Sequence, residues 1–103
     1  YTTCLADRPL AGAEETVTLA GKHCESGDVL LKDLAFPACS SGEILAIFAT
    51  GAYNVSMSSN YNRIPRPAAV LVHQGDAELV LRREQPEDLL RYDLMPERLR
   101  SVK

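Results

Sequence analysis

Apolar positions along this chain fall in short groups rather than helical stripes. Thr16 to Ala20 (TVTLA) alternates β-branched and apolar residues and stops at Gly21, which predicts a short strand. Val29 to Leu31 is a three-residue apolar stub, and the polar stretch from Lys32 to Ser41 after it contains Pro37. Gly42 then releases Glu43 to Ala49 (EILAIFA), which reads as a buried strand. Ala69 to His73 and Ala77 to Arg82 flank Gln74-Gly75-Asp76, whose Gly-Asp tolerates positive φ, and together they predict a β-hairpin. Pro86 behind Gln85, with Glu87 and Asp88 where the helix dipole favours negative charge, predicts a short helix to Tyr92. Pro96 opens a second helical turn, in a tail that Arg98, Arg100 and Lys103 make polar enough to fray. No long helix separates the strands, so no βαβ unit is available. The expected class is mainly β: a small Greek-key-like β-barrel or sandwich with short helices near the C-terminus.

Composition narrows the function. At 103 residues and 11.3 kDa the chain supports one hydrophobic core, which excludes a complete multi-domain enzyme. The longest apolar run, Ile44 to Ala49, is far short of the roughly 20 residues of a spanning helix, so no membrane is expected. A net charge of -3 without a basic block argues against nucleic acid. Three cysteines, Cys4, Cys24 and Cys39, form an odd set with no CxxC pair, which argues against a disulfide framework and a zinc site and fits a reducing cytoplasm. The opening Tyr-Thr-Thr-Cys has no initiator Met and no apolar signal region, so the chain is expected to be a piece of something longer.

Two segments carry candidate chemistry. In Lys22 to Asp28 (KHCESGD), a loop without core periodicity, Cys24 is bracketed by His23 and Glu25. A thiol there serves as nucleophile or proton donor: a protonated His23 would favour thiolate, whereas the carboxylates of Glu25 and Asp28 would favour the neutral thiol. The competing reading makes Cys24 a small buried hydrophobe and the carboxylates a solvated turn. A cysteine hydrolase would need a base, and adjacent His23 is badly placed for it, which leaves His73. In the second segment Tyr53 follows Gly51-Ala52 and precedes SMSSNYN, residues 56 to 62. Its hydroxyl is a candidate donor to a phosphate or carboxylate; the alternative is a partly buried Tyr among turn-shaping Ser and Asn.

Taken in order and spacing, GKHCESGD (21 to 28), GAYNVSMSSNYN (51 to 62), Pro65-Arg66-Pro67 and the Arg82-Arg83-Glu84 ending resemble the C-terminal domain of the diaminopimelate decarboxylase family, over about residues 14 to 95. These are fold-type III pyridoxal 5'-phosphate (PLP) enzymes. The resemblance implies an alanine racemase C-terminal-domain-like β-domain, residues 1–103, whose N-terminal PLP-binding (β/α)8 barrel lies outside the chain. It implies a homodimer with active sites at the subunit interface, and meso-diaminopimelate converted to L-lysine and carbon dioxide. On that basis Cys24 is the proton donor to the α-carbon after carbon dioxide leaves, Glu25 contacts the substrate's distal end, Tyr53 contacts both the PLP phosphate and the substrate, and Asp28 is an interface residue. Related ornithine decarboxylases carry Cys-Asp at the Cys24-Glu25 position, so Glu25 favours diaminopimelate. Lys22-His23, where a Pro-Leu pair is common, and Arg63-Ile64, in place of Ser-Arg, depart from the family pattern. Lys22, Lys32 and Lys103 match no cofactor-lysine motif, and the isolated chain is expected to be inactive. The same domain from an ornithine, arginine or carboxynorspermidine decarboxylase, and a non-catalytic dimerisation module, are the alternatives.

Overall fold

The computed structural model describes residues 1–100, so Lys103 lies outside the described residues. The chain divides into two compact units, Tyr1–Ser58 and a second that begins at Ser59. Three two-stranded antiparallel sheets and a few one-turn helices make up both. The mainly β expectation therefore holds, with short helices near the C-terminus, but the strands of the described residues do not close into a barrel.

In the first unit β1 (Thr3–Leu5) pairs with β4 (Leu45–Ile47), and β2 (Glu15–Ala20) pairs with β3 (Val29–Phe36). The predicted stub at Val29 to Leu31 is the start of an eight-residue strand. It runs through Lys32 and Asp33 because the register shifts there, with Val17 opposite Leu34 and Leu19 opposite Leu31, so that β3 carries an extra residue. Asp33, at φ 53, absorbs the bulge in the left-handed region. Pro37 ends the strand, since it has no N–H for the ladder. Leu5, Phe36 and Pro37 are buried and form what core the unit has.

The predicted buried strand from Glu43 to Ala49 is shorter and more exposed than its sequence suggests. Only Leu45–Ile47 is strand, and Ile44, Leu45 and Phe48 are exposed. Its one paired neighbour among the described residues is β1, so one edge is covered. Arg8 ties down the turn before it, donating to the Ala38 carbonyl at 3.0 Å and to Glu43 Oε1 at 2.9 Å.

In the second unit β5 (Ala69–His73) and β6 (Asp76–Leu81) form the expected hairpin. Its two-residue turn is Gln74-Gly75, both at positive φ (49 and 83), while Asp76 already belongs to the strand. That backbone matches the twist of the flanking strands. The predicted helix from Pro86 is a 3-10 turn, Pro86–Leu90, and the turn behind Pro96 is α2 (Glu97–Arg100), after α1 (Asn54–Met57) in the first unit.

Candidate functional site

The segment from Gly21 to Asp28 is a closed loop at the end of the β2–β3 ribbon, where Ala20 pairs with Val29. Gly21 N–H donates to the Asp28 carbonyl at 2.8 Å and closes the neck. Inside it, Glu25 N–H donates to the His23 carbonyl at 2.8 Å and Asp28 N–H to the Glu25 carbonyl at 3.1 Å. The residue at the neck must be small: a Cβ on Gly21 would collide with the carboxylate of Asp28.

This closure sorts the side chains. Cys24 and Glu25 are exposed, and Cys24 is in no disulfide, so the buried-hydrophobe reading fails. Asp28 is turned into the loop, where its Oδ2 accepts the His23 N–H at 2.8 Å and lies 3.3 Å from His23 Nδ1. Both side chains are largely covered, with 24% of His23 and 26% of Asp28 exposed. The loop thus presents a thiol and a carboxylate outward and keeps an imidazole and a second carboxylate for itself. The His23 ring is engaged with Asp28, and His73 sits at the end of β5 in the other unit.

Tyr53 stands on a separate turn, just before α1, with its side chain 73% exposed. Its carbonyl accepts from Ser56 Oγ and Met57 N–H, both at 2.9 Å. The neighbouring polar groups are spent on local backbone: Ser58 Oγ donates to the Val55 carbonyl at 2.6 Å, and Ser59 Oγ accepts the Tyr61 N–H at 3.3 Å. The Ser residues shape turns, as the alternative reading held, but Tyr53 is not buried.

The second unit holds a polar knot that sequence reasoning missed. Glu84 Oε1 accepts from Asn60 Nδ2 and from Arg66 N–H, both at 2.7 Å, and Arg66 Nη1 donates to Asn60 Oδ1 at 2.8 Å. The Arg66 main-chain donor, then Asn60, hold the Glu84 carboxyl below its ordinary range. Beside it, Arg82 grips Asp88 through both carboxylate oxygens at 2.8 and 2.9 Å, while Asp88 and Gln85 cap each other. The Arg82 guanidinium, then the Gln85 N–H, hold Asp88 well below the usual carboxylate range. The spacing Gln85-x-x-Asp88 was the available sequence signal for that cap. Arg63 donates to the Leu89 carbonyl at 3.1 Å and lies 3.5 Å from Asp93, which gives it a structural role.

Comparison with known proteins agrees on one family. A family profile described as pyridoxal-dependent decarboxylase, C-terminal sheet domain, matches residues 2–51, a stretch that contains Cys24, Glu25 and Asp28 and stops before Tyr53. The chain is 60% identical over 101 residues to a diaminopimelate decarboxylase of Synechocystis, covering 98% of this chain and 22% of that protein. It is 57% identical over 84 residues to that of Bacillus methanolicus, covering 82% of this chain and 19% of the relative. A solved diaminopimelate decarboxylase from M. jannaschii in complex with L-lysine superposes with a TM-score of 0.84 at 35% identity, over 96% of this chain and 22% of that one. The chain therefore spans about a fifth of the length of the relatives it matches. Among the described residues no helix is long and apolar enough to cross a membrane.

Proposed function

Because the chain belongs to the C-terminal sheet domain family of the pyridoxal-dependent decarboxylases, we propose that it serves as this domain in a diaminopimelate decarboxylase. That enzyme is a carboxy-lyase of lysine biosynthesis that converts meso-diaminopimelate to L-lysine and carbon dioxide. The observation that carries the reading is the closed loop, which holds Cys24 and Glu25 outward at the end of a ribbon. Side chains so presented act on something that is not part of the loop.

PLP, when bound, supplies the electron sink that lets the carboxylate depart. This chain's residues fit that group as contributors and not as its cradle. Tyr53, exposed, offers its hydroxyl to the phosphate and substrate, while Ser56, Ser58 and Ser59 near it are engaged in their own turns. We assign the cofactor lysine and the phosphate loop to an N-terminal (β/α)8 barrel in the rest of the parent enzyme, with residues 1–103 as its single β-domain. The fivefold greater length of the relatives supports this.

Cys24 Sγ would hold the proton that the α-carbon needs, carried by an exposed residue on a loop closed by its own hydrogen bonds. The Glu25 carboxylate pairs with the distal ammonium of the substrate by a charge-assisted hydrogen bond. Asp28 meets the homodimer interface through the loop it braces, since its own carboxylate is occupied by His23. The sheets are proposed to complete an alanine racemase C-terminal-domain-like Greek-key barrel or sandwich in the whole enzyme, supported by the superposition on the M. jannaschii protein. Three cysteines with no disulfide among them support a cytoplasmic location.

The test is carbon dioxide release by the uninterrupted parent chain, supplied with PLP, from meso-diaminopimelate, ornithine and arginine. Release from diaminopimelate alone is expected. Release from ornithine or arginine instead would overturn the role given to Glu25 while keeping the fold, and release from none would favour a non-catalytic dimerisation module.

A further inference from the structure

The loop that carries Cys24 contains an interaction that proton donation does not itself require. One oxygen, Asp28 Oδ2, meets His23 twice: it accepts the main-chain N–H at 2.8 Å and lies 3.3 Å from ring Nδ1. That carboxylate lies over Gly21 at the neck, in the space that the missing side chain of glycine leaves for it. Its backbone is also fixed, with the Asp28 carbonyl and N–H bonded to Gly21 and Glu25. The imidazole thus lies against a carboxylate whose own residue is bonded at both main-chain groups.

Cys24 is the next residue along the chain. With its predecessor held at both main chain and ring, the backbone that leads into Cys24 is constrained. The Glu25 N–H bond to the His23 carbonyl fixes the following peptide in turn. We propose that His23 is a positioning residue whose imidazole, held on Asp28, aims the Cys24 thiol. The proposal rests on the reading of Cys24 as the proton donor. It makes His23, a departure from the family pattern, part of the machinery through its neighbour and not by contact with substrate.

The physical cost of losing such a brace is misplacement. A donor displaced by about 1 Å loses one to two orders of magnitude in rate, with little effect on groups that bind substrate elsewhere. Asparagine provides the discriminating control, because its side-chain N–H can occupy the place of Nδ1 while the ring is lost.

The experiment uses the full-length PLP-loaded enzyme with His23→Leu, His23→Asn and Cys24→Ala variants. It measures kcat and KM for lysine formation, and the rate at which iodoacetamide labels Cys24, located by mass spectrometry. His23→Leu is expected to lower kcat about tenfold with KM within about twofold, and to change the labelling rate at Cys24. His23→Asn is expected to recover most of both. A His23→Leu enzyme with native kcat and labelling, or a His23→Asn enzyme as impaired as His23→Leu, would overturn the proposal. Full activity in Cys24→Ala would instead refute the donor reading, and the labelling rates would still decide whether His23 aims the thiol.

Discussion

The two compact units of the chain are held together by different means. In the first, Leu5, Phe36 and Pro37 are buried where β1 and β3 meet the loops, and a reactive loop projects from the ribbon. In the second, no described residue is buried, and the hairpin exposes Val70, Leu71, Val72, Leu79, Val80 and Leu81. What organises it is the Asn60–Arg66–Glu84 knot and the Arg82–Asp88 grip at the hairpin's base. A ribbon with apolar residues on both faces is marginal in water by itself. The contrast teaches that the second unit leaves its apolar strands without a cover of their own, whereas the first unit's loop holds its shape through its own hydrogen bonds.

The largest effect that sharpens this contrast lies in the core. Phe36→Ala should destabilise the chain by about 3 kcal/mol or more, whereas Leu71→Ala, at a side chain 62% exposed, should cost less than about 1 kcal/mol. Thermal unfolding of both variants measures this. Equal losses would mean that the hairpin of the isolated chain is covered, for instance by a second copy, which concentration-dependent sedimentation would detect.

A smaller effect separates the loop from the core. Gly21→Ala forces the added methyl onto the Asp28 carboxylate and should destabilise by about 1 to 2 kcal/mol. The same variant should loosen the Cys24 loop, seen as faster amide exchange at Glu25 and Asp28, whose N–H groups bond within it.

Acid acts on both units with one sign but through more groups in the second. Glu84 and Asp88 are held below the ordinary carboxylate range in the second unit, and Glu43, by the Ser40 N–H and then Arg8, in the first. A carboxyl lowered in the folded state stabilises above its unfolded pKa, and that contribution is lost as pH falls through the folded value. The second unit should therefore lose more protection than the first as pH drops below about 5. Hydrogen exchange across that range tests it, and equal loss in both units would refute the idea that the second depends more on these groups. The smallest expected effect is that of Tyr53→Phe, which should leave stability within about 0.5 kcal/mol because the hydroxyl is exposed and its residue is held through the main chain.

How far the sequence reveals the molecule follows the range of its interactions. The hairpin, β2, the loop at 22 to 28 and the start at Pro86 are legible because periodicity and turn residues are local. Strand β1 is not, since Thr3 to Leu5 takes its partner from Leu45 to Ile47, far along the chain. The full length of β3 was hidden by Lys32 and Asp33, polar residues that a bulge accommodates. Cys24, Glu25 and Tyr53 were legible as chemistry, and all three are exposed. The inward turn of Asp28 toward His23 was not, because sequence adjacency does not say which carboxylate faces solvent.

The most direct test of the central claim is lysine formation by the full-length PLP-loaded enzyme, native against Cys24→Ala. If the exposed thiol delivers the proton, kcat should fall about a hundredfold or more while KM for meso-diaminopimelate stays near the native value. A Cys24→Ala enzyme that forms lysine at the native rate would contradict the account.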